Sequence, residues 1–295
     1  MGTRLVLALL WLLHFFPLCL LQGIASILGR VAMRTRFSRT TRINLKSCFP
    51  ALSLDERDIL AQRHLSALIR SVLELGILWW SPPSRIQRLV QLKGLEHVPV
   101  DTHRPIIFLT PHLVGLEMQG ARMGMLFRGV GFFTPHKNRL IDQKMREARD
   151  RLGDVVMLDK RKGLRPLLRA MRDGRHLYFL PDMDFGEKDS VFVPFFGIPA
   201  ATVPTLPWLT RKTDALVIPC VCHQKAGCAG YEVEFFPPWE NFPGQDESSD
   251  LSRMNAFIEM QARLFPEQYF WSHKRFRTRP EAEAPYFYRW PQNLD

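Results

Sequence analysis

Between residues 105 and 236 the chain alternates strand-length apolar runs with segments of helical period, and this alternation restricts its possible folds more than any other feature. PIIFLT (105–110), VGFF (130–133), VVML (155–158), HLYFL (176–180), ALVIPCVC (215–222) and YEVEFF (231–236) read as strands. Helical patterns fall between them, near 115–127, 140–152 and 203–212. A further helix is marked by Leu164, Leu167, Leu168 and Met171, with Gly174 as its stop, and a last one lies near 251–265. Parallel strands require crossovers long enough to hold a helix, so the pattern predicts an α/β fold with a mostly parallel sheet covered by helices. Upstream, SLDERDILAQRHLSALIRSVLELGILWW opens on Ser53 and an acidic first turn, which predicts one or two helices running to about Trp80 and stopped by SPP at 81–83. PPWENFPGQDESSD (237–250) reads as a surface loop, and there is no internal repeat.

Composition narrows the class. With 295 residues, 46% hydrophobic and 23% charged, the chain can bury a full core and is not a disordered polymer. Five cysteines, an odd number, do not make a disulfide framework and fit a reducing compartment. The net charge of +11 would ordinarily raise the question of nucleic acid. Its distribution argues otherwise. Residues 1–54 hold Arg4, Arg30, Arg34, Arg36, Arg39, Arg42 and Lys46 with no acid, and Lys274, Arg275, Arg277 and Arg279 supply the rest of the excess, so no nucleic-acid partner is expected.

Leu5 to Leu28 is almost uninterrupted in apolar residues and long enough to cross a bilayer as one helix, although His14, Pro17 and Gln22 weaken it. Gly29-Arg30 leads into a basic segment rather than a signal-peptide cleavage site. The arginines that follow would lie at headgroup level and keep the body of the protein on the cytoplasmic side. The other reading is a buried first helix of a soluble domain.

TPHLVGLEMQG (110–120) is the sharpest local signal. A strand ends at Thr110, Pro111 breaks it, and His112 precedes Glu117 by five positions. On one continuous helix five steps leave two side chains about 140° apart, so the histidine must come before the helix if the two are to meet. Two readings stay open here: a hydrogen-bonded or capping histidine beside a surface glutamate, or a general base whose imidazole is oriented by a carboxylate. No G-x-S-x-G elbow occurs, so no serine nucleophile of that kind is indicated. CVCHQKAGC (220–228) has no standard zinc spacing, and Cys220 and Cys222 would share one strand face as buried small residues. No metal is expected.

The H-x4-E pattern after a strand resembles the H-x4-D/E motif of the glycerolipid acyltransferase superfamily. FLPDMDFGEKDSVFVPFFGIPAATVPT (179–205), PEQYFWSHKRFRTRP (266–280), INLKSCFPALSLDER (43–57) and KGLEHV (93–98) resemble blocks of the bacterial lipid A late (lauroyl or myristoyl) acyltransferases. The resemblance implies a membrane-anchored α/β enzyme of the bacterial inner membrane, with its catalytic domain on the cytoplasmic side and an anionic membrane as partner. Such an enzyme takes an acyl chain from acyl carrier protein thioester and esterifies a hydroxyl of a Kdo-bearing lipid A precursor, without a cofactor. It implies residues 1–30 as anchor, 31–280 as acyltransferase domain and 281–295 as a tail of unassigned role.

Carried over residue by residue, the resemblance makes His112 the base and Glu117 its orienting carboxylate. It puts Asn138 and Arg139 at the centre of a second block, and Lys160 or Arg161 on a phosphate or on the thioester region. Asp182 and Asp184 would border the acceptor site, and His273, Arg275 and Arg277 would serve anion binding. A lysophospholipid acyltransferase and a non-catalytic membrane-bound lipid-binding protein are the rival readings.

Overall fold

The computed structural model describes residues 2–99, 102–133, 135–159, 161, 163–280 and 287–289. The apolar N-terminus forms two helices, α1 (Gly2–Leu13) and α2 (Leu18–Ala32), where one span was expected. The break has a local cause. Pro17 lacks an N–H and sits extended at φ −68°, ψ 152°, so the helix cannot run through it. Arg85 takes up the carbonyls left open at the break, donating to His14 O and, at 3.2 Å, to Phe16 O. Among the described residues no helix is long and apolar enough to cross a membrane.

Four more helices precede the sheet. They are α3 (Ser38–Cys48), α4 (Leu54–Leu73), α5 (Leu75–Trp80) and α6 (Pro83–Leu89). The expected start of α4 is a full capping box, in which Ser53 accepts from the Glu56 amide and the Glu56 carboxylate accepts from the Ser53 amide. α2 lies so close along α4 that a Cβ on Gly29 would fall 2.1 Å from Ser66 Oγ, so that crossing needs glycine. α6 begins at Pro83, which is well placed at a first helical turn; the proline pair stops one helix and starts the next.

Then come β1 (Val90–Lys93), β2 (Ile106–Leu109), α7 (Leu116–Gly124), β3 (Gly129–Phe133), α8 (Arg139–Leu152), β4 (Val155–Asp159), α9 (Arg165–Arg172) and β5 (His176–Phe179). A hairpin of β6 (Val191–Phe195) and β7 (Ile198–Thr202) leads to α10 (Thr205–Thr213), β8 (Leu216–Gln224), β9 (Tyr231–Phe235) and α11 (Glu247–Leu264). β1, the hairpin, α3 and α6 are elements that the sequence pattern did not separate.

The seven-stranded sheet has the order β1-β9-β8-β2-β5-β3-β4. Every pairing in it is parallel except β8 with β9, as the alternating pattern predicts for most of the sheet. Helices cover both faces. Ile107, Leu109, Val130 and Leu177 pack with α9, α10 and α11 on one side; Ile106, Phe108, Cys220 and Cys222 pack with α1, α5, α7 and α8 on the other. Cys220 and Cys222 thus share a buried strand face.

Candidate active site

β2 and β5 are parallel neighbours with Leu109 opposite Phe179, and Thr110 N extends the ladder to Phe179 O at 2.9 Å. Each strand then runs one residue to a proline, Pro111 or Pro181, and the next residue is His112 or Asp182. Proline ends both strands at one height, so the two side chains meet at the carboxyl edge of the sheet, where α/β folds place their sites.

His112 Nδ1 lies 2.6 Å from Asp182 Oδ1, and the His112 amide donates to Asp182 Oδ2 at 2.9 Å. Burial raises the Asp182 pKa, but the neighbouring His112 and its two hydrogen bonds outweigh this, so the carboxyl is held below its ordinary value. An ionised Asp182 accepts from Nδ1–H, which leaves the His112 Nε2 lone pair free to take a proton.

The turn that carries His112 is pinned from three directions. Val114 N donates to Gln268 O and Phe270 N to His112 O, while the imidazole stacks on Phe270 with centroids 6.4 Å apart. Gly115 lets the turn seat on β8, since a Cβ there would fall 2.8 Å from Cys222 Sγ. Tyr269, on the same segment, is buried beside Asp182; burial and then that negative charge push its ionisation well up, so it stays a neutral phenol.

The carboxylate bonded to the imidazole is therefore Asp182, where the family resemblance had implied Glu117. Glu117 sits in the first turn of α7 and makes no hydrogen bond to His112 among the described residues. It lines the same cavity as His112. That cavity, of about 600 Å³, runs between the sheet and α1, α7 and α8, and its walls are mainly apolar. Val6, Leu7 and Leu10 of α1 roof it.

The other site residues expected from sequence divide sharply. Arg275 is buried, not presented to an anion: it donates to Ala201 O at 2.6 Å and to Thr202 Oγ1 at 2.9 Å. His273 Nε2 accepts from the Asp184 amide at 3.0 Å, and burial lowers its pKa to about 4, so it is a neutral internal acceptor. Asp184 is buried as well, accepting from Gly186 N, Thr278 N and Thr278 Oγ1. Arg277 stands 3.6 Å from that carboxylate. Within the C-terminal basic run Arg275 is thus an internal strap and Thr278 ties the loop after β5 to the chain end, while Lys274 and Arg277 are exposed.

Arg161 is exposed and paired with Asp159. Asn138 caps α8 and donates to Thr3 Oγ1 at 2.6 Å, and Arg139 is exposed at the first position of that helix. Lys160 and most of the 281–295 tail lie outside the described residues.

Comparison with known proteins adds an independent line. The family described as bacterial lipid A biosynthesis acyltransferase matches residues 1–278. The chain is 33% identical over 285 residues to a lipid A biosynthesis lauroyltransferase of Escherichia coli (strain K12), covering 95% of this chain and 92% of that one. It is 31% identical to the lipid A biosynthesis palmitoleoyltransferase of the same strain, covering 94% and 92%. It is 30% identical to a lipid A biosynthesis acyltransferase of Haemophilus influenzae, covering 90% and 86%.

Proposed function

Because the chain belongs to the bacterial lipid A biosynthesis acyltransferase family, we propose that it moves a fatty acyl chain from acyl carrier protein thioester to a hydroxyl of a Kdo-bearing lipid A precursor. The observation that carries this reading is the His112–Asp182 pair at an apolar cavity large enough for a fatty chain. A non-catalytic lipid binder would have no use for an imidazole held in one tautomer.

In this mechanism the acceptor hydroxyl gives its proton to His112 Nε2 as its oxygen attacks the thioester carbonyl. Asp182 holds the ring and stabilises the imidazolium. Collapse of the tetrahedral intermediate breaks the carbon–sulfur bond, and the imidazolium returns its proton to the departing thiolate. The acyl chain occupies the cavity below. Glu117, at the cavity wall, is left to act on substrate rather than on the ring.

On the same reading residues 1–30 contact a membrane, 31–280 form the catalytic body and 281–295 a tail. Leu5, Leu9 and Leu12 are exposed on one face of α1, and Ile27, Leu28 and Val31 on α2. With Arg30, Arg34 and Arg36 beside them, these faces suit the cytoplasmic leaflet of the bacterial inner membrane, entered as an interfacial helix pair. Transfer assayed with purified lipid A precursor and acyl carrier protein thioesters tests the reading, and absence of transfer from every thioester would overturn it.

A further inference from the structure

Beside the cavity a row of side chains is interrupted at two glycines of β3. Along β3 successive residues face opposite sides of the sheet, and Val130 points into the core with Ile107 and Leu177. Gly129 and Gly131 therefore lie on the opposite face from the Val130 side chain, and the β3 segment 129–132 lines the cavity. Their neighbours facing the same way all carry bulk. His176 and Val155 flank Gly129 in register, and Met157 is paired with Gly131, with Tyr178 on the other side. A β3 side chain is missing from each row, with less room beside Gly129 than beside Gly131.

The two glycines form successive rows about 7 Å apart along the strand, with the Gly131 row nearer His112. They differ in what they could accept. A Cβ on Gly129 would come within 3.3 Å of Val155 Cγ2, a stiff β-branched side chain. A Cβ on Gly131 would meet the Sδ and Cε of Met157 at 3.5 Å and Tyr178 O at 4.0 Å, ordinary contacts of which the nearer is with an adaptable thioether. At the Gly129 row His176 accepts from the Ile106 amide at 3.2 Å and burial lowers its pKa, so that imidazole is neutral and compatible with a hydrocarbon end.

We infer that Gly131, with Met157 as the movable wall beside it, fixes how long an acyl chain the cavity accepts. This rests on the proposed acyl transfer. A side chain at 131 closes the slot at the upper row, so only chains ending above it fit. Truncating Met157 widens the slot at the same height and admits longer ones. Each methylene moved into or out of the apolar slot changes relative use by about fourfold.

The test uses the full chain, lipid A precursor, and an equal mixture of acyl carrier protein thioesters from decanoyl to hexadecanoyl, with products read by mass spectrometry. Gly131→Val should shift the product distribution to shorter chains by at least one methylene pair. Met157→Ala should shift it to longer ones, and the double variant should return towards wild type. Should Gly131→Val fail to fold, Met157→Ala decides alone. Folded, active variants with the wild-type distribution would overturn the inference and leave acyl transfer standing, whereas a wild-type chain that transfers nothing would overturn the functional reading itself.

Discussion

His112 and Asp182 stand three residues beyond Leu109 and Phe179, which face one another in register on adjacent parallel strands. The 2.6 Å contact between Nδ1 and Oδ1 is a consequence of that register and of two prolines at the same offset. A slip of one residue between β2 and β5 would turn one partner to the opposite face of the sheet.

The pairing predicts unequal roles for the two nearby carboxylates. Asp182→Asn presents an amide where a carboxylate held Nδ1–H, and turnover should fall by about 100-fold or more. Glu117→Gln keeps the dyad intact, so the pH dependence of the residual activity should match wild type, whereas that of Asp182→Asn should shift. Steady-state pH profiles of the two variants make the comparison.

How far this site was legible can be judged from its two halves. His112 was legible because a strand, a proline and a histidine in sequence place an imidazole at a sheet edge whatever the neighbours are. Its partner was not, because Glu117 is near in sequence while Asp182 is near only once β2 and β5 pair. The shared layout of L-T-P-H and F-L-P-D was the available signal. The parallel sheet was readable from periodicity. The helix break at Pro17 outweighed the apolar run around it, and burial of Arg275 and Asp184 depended on contacts with the β6–β7 hairpin and the chain end, which no local pattern reports.

Arg275 and Arg277 should separate stability from substrate binding. Arg275→Ala leaves buried acceptors at Ala201 and Thr202 without a donor and should cost about 2–4 kcal/mol, seen as a lowered melting temperature. Arg277→Ala, at a side chain half exposed, should melt within a few degrees of wild type. Equal melting temperatures for the two variants would contradict the strap.

Acid should destabilise the fold well above the carboxylate range. His64 is fully buried between Glu267 O and Ser272 Oγ, and burial lowers its pKa from 6.5 to about 4; His273 is lowered likewise. Between those values the unfolded chain binds the protons that the folded one refuses, so stability is complete above about pH 6.5 and declines as pH falls towards 4. The His64 contribution is on the order of 3 kcal/mol. Thermal melts from pH 7.5 to 4.5 should show the decline, and His64→Gln should flatten it.

The exposed faces of α1 and α2 predict membrane partitioning that can be removed without touching the core. Leu9→Glu with Ile27→Glu places charge on residues 53% and 62% exposed, so the fold should survive while binding to anionic vesicles drops and becomes salt-sensitive. Vesicle flotation in low and high salt reads this out. Unchanged flotation of the double variant would remove the membrane role from these faces.

The most direct measurement of the central claim is single-turnover acyl transfer by His112→Ala, with its melting temperature measured alongside. The His112–Asp182 base predicts a loss of about 100-fold or more in the rate of transfer from acyl carrier protein thioester to lipid A precursor, with the fold retained. A folded variant that transfers within threefold of wild type would contradict the mechanism.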